Sequence, residues 1–236
     1  APELKNFLPA AARYDSGAGG AGKPGSDAIY GGHSHVGTMI YLGDNWPDAY
    51  RNHLFTNNLF GHQMNHQVLN REGSGYEAVS AGRDLLLAPD PRYVAVDLQT
   101  GPDGAVYLID WCDLQHCHNP AAEKWDRTNG RIYRVSWKET YKPVKVDLGK
   151  MSDVELAKLQ THRSDWFARN ARQLLQERAA KRAINAKAIA LLKEQTAGSE
   201  VPHVLRAMWT LHVIRGLDAE QLAGLAKHRS ETVRGW

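Results

Sequence analysis

The sequence has only two cysteines, Cys112 and Cys117, among 236 residues. Two are too few to define a disulfide framework or a redox compartment. A long apolar run is also missing. Nothing approaches the roughly 18 consecutive apolar residues of a transmembrane helix, so these residues hold no membrane span. Charge of one sign is scarce as well. Lys and Arg number 29 against 26 Asp and Glu, for a net charge of +3, and the two signs are interspersed. That excludes the clustered basic face on which nucleic-acid binding depends. Ala1–Ala12 lacks the basic and apolar regions of a signal peptide, which leaves an upstream segment as the place for a signal or anchor.

What is present is an ordinary apolar fraction, 42%, enough to build a core. There are also seven Trp and eleven His, gathered in particular stretches.

Residues 1–32 read as an irregular, Gly-rich lead-in without periodicity. From 33 to 142 the pattern is one of short strands parted by turn residues. The strands are Val36–Leu42, His53–Phe60, Gln63–Arg71, one or two within Tyr76–Ala88, Tyr93–Leu98, Ala105–Trp111 and Arg131–Trp137. Glu72-Gly-Ser-Gly75 and Gly101-Pro-Asp-Gly104 supply tight turns. Such spacing predicts an all-β antiparallel architecture. The Pro-Asp-Gly turn between two apolar strands reads as part of a β-propeller blade, and the strand number amounts to about two blades. Two blades cannot close a ring, so the chain is expected to be an internal piece of something longer. A small sandwich or barrel is the plainer alternative.

From 143 to 236 the period changes to that of helices. Ser152-Asp-Val-Glu155 is a capping box. Ser164 is expected to cap a longer helix with Phe167, Ala171, Leu174, Leu175 and the stem of Arg178 inward. Ile184, Ala188, Leu191 and Leu192 line another helix that Gly198 ends. Pro202 suits a first turn, ahead of a stripe of Val204, Leu205, Met208, Leu211 and His212. Asp218-Ala-Glu-Gln221 opens a further helix. Ala171-Arg172-Gln-Leu-Leu175, Leu205-Arg206-Ala-Met-Trp209 and Val233-Arg234-Gly-Trp236 recur at intervals of about 34 and 28 residues, which suits HEAT-like helix pairs.

Several groups carry chemistry. His33 and His35 share one strand face and can converge on a metal, cofactor or substrate, or be a polar pair at a strand entry. Asp44 and Asn45 can ligate calcium or close an Asx turn above Trp46. Asn57, His62, Asn65 and His66 are polar for buried strands and need partners; they either knit sheets together or line a channel. The densest cluster is Asp110-Trp-Cys-Asp-Leu-Gln-His-Cys-His118. It offers an acid or base, a soft ligand in Cys117 and an imidazole in His118. A Cys112–Cys117 disulfide, haem attachment and a ligating loop all compete there, and four intervening residues disfavour haem. His162, Trp166 and Trp209 read as packing residues.

The segments Gly32-His-Ser-His35, Ile40-Tyr-Leu-Gly-Asp-Asn-Trp-Pro47, Asn57 to Asn65 and Gly73-Ser-Gly-Tyr76 also carry a family resemblance. So do Gly101-Pro-Asp-Gly104, Asp110-Trp-Cys-Asp113, Cys117-His118, Gly130-Arg-Ile-Tyr-Arg134 and Leu174-Leu-Gln-Glu-Arg178. In this order they resemble the large PVC-type membrane-bound dehydrogenases, also described as haem-binding. The resemblance implies a propeller similar to quinoprotein glucose or sorbosone dehydrogenases, then HEAT-like repeats, in the periplasm or cell envelope. It implies oxidation of a sugar or alcohol, with electrons passing from a quinone such as PQQ to a cytochrome-type acceptor whose c-type haem sits on another domain. On that reading His33, His35, Asp110, Asp113 and His118 serve catalysis. Asn57, His62, Asn65 and Trp111 hold the cofactor, and Asp44, Asn45 and Cys117 hold a metal such as calcium. The rival expectations are a non-catalytic scaffold for a glycan or protein and a calcium-dependent propeller hydrolase with Asp44, Asn45 and Asp113 as candidate ligands.

Overall fold

The computed structural model describes residues 35–59, 62–115 and 125–236. The lead-in 1–32 and the residues His33, Cys117 and His118 lie outside them. The chain divides into two compact units, one ending at Lys142 and one running from Pro143 to Trp236.

The first unit is antiparallel β throughout, in two sheets. Strands β1 (His35–Ile40), β2 (Leu54–Asn58), β3 (Gln63–Glu72) and β4 (Gly75–Ser80) form a meander in chain order, and the two-residue β5 (Leu86–Leu87) also pairs with β3. Strands β6 (Ala95–Thr100), β7 (Val106–Asp110) and β8 (Arg131–Val135) form a second meander. The strand rhythm read from the sequence is therefore present, with Tyr76–Ala88 split into β4 and β5. Alternation sorts the side chains of the first sheet. Phe55 pairs with Met39 and His66, and Asn57 with Val36 and Met64, on one face; Thr56 pairs with Thr38 and Asn65 on the other. The first face supplies Phe55 and Met64 to a core shared with Tyr93, Ala95, Leu98, Val106 and Leu108 of the second sheet.

One hydroxyl ties the two sheets together. Tyr41, fully buried, accepts from the backbone amides of Asn45 (3.0 Å) and Trp46 (2.8 Å) and donates to the Gly104 carbonyl (2.7 Å). One donor and two lone pairs are thereby saturated. The contact needs glycine at 104: φ is +72°, and a Cβ there would meet the Asn45 nitrogen at 2.5 Å. Gly37 likewise sits at φ +59° at a bulge in β1, where a Cβ would come within 2.6 Å of the Asp97 Cα.

The second unit is helical: α1 (Asp153–Lys158), α2 (Asp165–Ala179), α3 (Ala186–Thr196), α4 (Val201–Val213), α5 (Ala219–Leu225) and α6 (Glu231–Gly235). Both capping boxes form, Ser152 with Glu155 and Asp218 with Gln221. Pro202 lies in the first turn of α4. Leu156, Ala171, Leu175, Ala188, Leu192 and Leu211 meet in the core. Two expectations differ. Ser164 precedes α2, but its hydroxyl makes no capping bond and is buried without a hydrogen-bond partner; its amide donates instead to His162 Nδ1 at 3.0 Å, which shapes the turn. His212 is exposed rather than part of the apolar stripe, because the buried face of α4 runs through Val204, Leu205, Met208 and Leu211.

Asp153 anchors this unit. Its buried carboxylate accepts from Arg182 (2.7 and 2.8 Å), Arg178 (2.9 Å) and the Asn185 amide (3.0 Å). Arg182 above all, then the Asn185 amide and Arg178, holds its pKa well below the carboxylate range against the opposing effect of burial.

Two outcomes are expected. Tyr41→Phe strips three hydrogen bonds from a buried site and lowers the stability of the β unit by about 2–3 kcal/mol, read by urea unfolding. Asp153 contributes fully above the unfolded carboxylate pKa of about 3.9 and loses that contribution as pH falls toward its depressed folded value. Asp153→Asn costs roughly 2–3 kcal/mol near neutrality, Arg182 being half-exposed and partly screened, and it flattens the acid limb of the helical signal's pH–stability curve. An unchanged acid limb defeats this account.

Candidate functional site

The polar side chains of the first sheet concentrate on the face opposite its apolar core. Gln63 and Asn65 stand two residues apart on β3 and so share that face, and His35 reaches it from β1. The fourth edge of this sheet is interrupted between β4 and β5. The Ala81 amide still bonds to the His66 carbonyl (3.1 Å) and the Leu85 amide to the Met64 carbonyl (2.9 Å). Asp84 fills the gap with its side chain. Its Oδ1 accepts from the His66 amide (3.3 Å) and from Asn65 Nδ2 (3.0 Å), and its Oδ2 from Gln63 Nε2 (3.0 Å). Asn65 Oδ1 in turn lies 3.1 Å from His35 Nε2.

Chemistry fixes the proton positions in this relay. A carboxylate only accepts, so Asn65 must present its NH2 to Asp84 and its oxygen to His35. His35 therefore carries its proton on Nε2 and keeps Nδ1 as an acceptor. Burial lowers the His35 pKa, while the Asn65 bond and the Asp84 charge oppose that shift. Burial also raises Asp84, against the bonds from Asn65 and the His66 amide. The result is a neutral imidazole, two amides and a carboxylate in one array, a mixed set of donors and acceptors suited to hydroxyl groups.

His35 and Asn65, expected in different roles, are thus brought together. Gln63 and Asp84 complete the array and were not foreseen. Gln63-x-Asn65 offered a signal, two amides at strand spacing, whereas Asp84 sits in an aperiodic stretch that resembles an ordinary surface turn.

The other expected residues lie elsewhere. Asn57 is on the opposite, core-facing side, fully buried, with neither amide atom hydrogen-bonded. His62, at φ +52°, lies 2.7 Å from the Tyr93 carbonyl through Nδ1. Asn45 spends its amide on the chain after β8: it donates to the Trp137 carbonyl and Thr140 Oγ1 (both 3.2 Å) and accepts from the Trp137 amide (2.8 Å). Asp44 packs beside Gly104. The Asp44–Asn45 pair lies in a turn that fastens the fold through the Asn45 amide. Asp110 accepts from the Val94 amide (2.7 Å), the Cys112 amide (2.9 Å) and Arg131 Nε (2.6 Å). Asp113 accepts from the amides of Gln115 (2.9 Å) and Asp126 (2.8 Å). Both carboxylates brace the second sheet and its following loop. Trp111 stacks edge-on against Trp125 at 5.7 Å. Among the described residues no three His, Cys, Asp or Glu side chains converge as a metal site would require.

A second histidine pair occupies the core-facing side. His53 Nδ1 and His66 Nε2 are 2.8 Å apart, and the His66 ring stacks on Phe55 at 4.6 Å. Burial first, and then the charge on His53, push the His66 pKa down to about 4.

The relay makes a signed prediction. Asn65 raises the His35 pKa and lowers that of Asp84, so Asn65→Ala must move the two in opposite directions, His35 downward and Asp84 upward. Nuclear magnetic resonance titration of both side chains checks this, and parallel movement refutes the relay.

No curated protein and no solved structure gives a significant match to the chain. Residues 21–139, just over half of the sequence, match a family described as a domain of unknown function (DUF7133). The match spans every strand of both sheets, and the chain belongs to that family.

Proposed function

We propose that the β unit is a pair of propeller blades whose polar strand face recognises a sugar or alcohol, within an envelope-associated oxidoreductase of the quinoprotein type. A four-strand meander followed by a three-strand one, packed through a common apolar core, supports the blade reading. Helices in close succession after Pro143 support a HEAT-like array. The observation that carries the ligand class is the His35–Asn65–Asp84–Gln63 array, in which acceptors and donors alternate over a few ångströms.

The array does not fit the quinone itself. PQQ bears several carboxylates and calls for guanidinium or ammonium partners, whereas this face offers amides, an imidazole and the like-charged Asp84. Arg131 pairs with Asp90 through Nη1 (2.5 Å) and with Asp110 through Nε (2.6 Å). On this reading the quinone, the base and the cytochrome-type acceptor with its haem all belong outside the described residues. The misfit favours a second reading, a carbohydrate-binding unit without redox chemistry of its own. The calcium-dependent hydrolase has less support, since Asn45 and Asp113 are occupied by hydrogen bonds.

Calorimetric titration of the full chain with a panel of sugars and alditols tests the ligand class. At least one is expected to bind, and Asp84→Ala is expected to weaken it about tenfold, the loss of one charge-assisted contact pair. A panel without a binder overturns the proposal. Quinone-dependent dye reduction by the same samples separates the two readings.

A further inference from the structure

In the helical unit, α2 and α4 carry stripes of matched spacing. Asp165, Arg169 and Arg172 follow one another on α2 at i, i+4 and i+7, and Arg206 and Trp209 on α4 at i and i+3, so each set lies on one helix face. At one end of the shared surface the two helices are joined. Arg206, only 6% exposed, donates to Asp165 Oδ1 (2.8 Å) and to the His162 carbonyl (2.9 Å). Arg169 stands 3.9 Å from the same carboxylate and is mostly in solvent.

The other end is unfinished. The Arg172 guanidinium lies 5.4 Å over the Trp209 ring, yet its Nη1 is buried without a hydrogen-bond partner, and so is Trp209 Nε1. Asp165, the carboxylate that acts on Arg172, is already held by Arg206. Stacking on an indole offsets part of the cost of withdrawing a guanidinium from water, but an unpaired donor in such a place remains unfavourable. Three guanidiniums therefore surround one carboxylate, and two buried donors next to each other lack an acceptor. The sequence repeat places Arg172 and Arg206 at equivalent positions; Arg206 has an internal acid and Arg172 has none.

We propose that this face of α2 and α4 binds a carboxylate presented by an acidic segment of a partner protein. The guanidinium fork matches a carboxylate in two-point geometry, and the excess positive charge selects an acidic partner. Trp and Arg together are the residues that most often anchor protein contacts. Trp236, 73% exposed and edge-on to Trp209 at 5.0 Å, extends the aromatic surface beside the fork. The proposal stands apart from the dehydrogenase reading, since it concerns the helical unit alone.

The test uses the full chain, a hexaglutamate peptide and, separately, inorganic phosphate and acetate. The peptide is expected to bind, to weaken with added salt, and to shift the indole N–H resonance of Trp209, assigned by its loss in Trp209→Phe. Arg172→Gln is expected to reduce peptide affinity about tenfold or more. Arg172→Lys, which keeps the charge and loses the fork, should fall between that variant and the parent. Lys187→Gln, an exposed charge on α3, should change little. Absence of peptide binding overturns the proposal. So does binding of phosphate or acetate as tight as the peptide's, which would mark a small-anion site, or an equal loss in Lys187→Gln, which would mark unspecific attraction. Circular dichroism of each variant confirms that the helices persist.

Discussion

The β unit rests on the saturation of a single phenol. Tyr41 stacks on Trp46 with ring centroids 4.5 Å apart and spends its whole hydrogen-bonding capacity on the turn before Trp46 and on the Gly104 carbonyl. That fastens the first sheet to the β6–β7 turn of the second. Trp46 adds a bond from its indole to the Val135 carbonyl (3.0 Å), and Asn45 clasps Trp137 and Thr140. Tyr41, Asn45 and Trp46 thus reach the β6–β7 turn, the end of β8 and the chain that follows it. With the core face held in this way, the opposite face of the first sheet is left to polar residues at no cost to packing, and there the His35–Asn65–Asp84 array forms.

Buried charge is treated in two contrasting ways. Asp110 and Asp153 are surrounded by donors and serve the fold. Asp84 is half-buried and bonded to amides alone, and burial raises its pKa. The same contrast separates Arg206 from Arg172 in the helical unit. A guanidinium with saturated partners is architecture, and one with an incomplete set is where a ligand has something to gain.

The periodicities were legible in the sequence because they come from local constraints. Alternation marked the strands, Gly101-Pro-Asp-Gly104 marked a turn, and two capping boxes marked helix starts, each a matter of neighbouring residues. The site was legible only in part. His35 and Asn65 stood out as polar residues in strands, but their meeting depends on the β1–β2–β3 register. Asp84 belongs to the array through a gap between strands that leaves no periodic trace. Asp110 and Asp113 stood out as acids beside a strand end, but their partners, the amides of Val94, Cys112, Gln115 and Asp126, are set by the fold and not by neighbouring residues. The unpaired Arg172 was hidden for the same reason, its spacing visible and its missing counterpart not.

Asp84 is at once a member of the polar array and a rung of the sheet, since its oxygen takes the amide hydrogen of His66 where no neighbouring strand does. Recognition and architecture are therefore spliced at one atom. Whatever draws that oxygen away, a guest's hydroxyl or a proton, also slackens the ladder beside it, and occupancy becomes readable as deuterium uptake at a single peptide position.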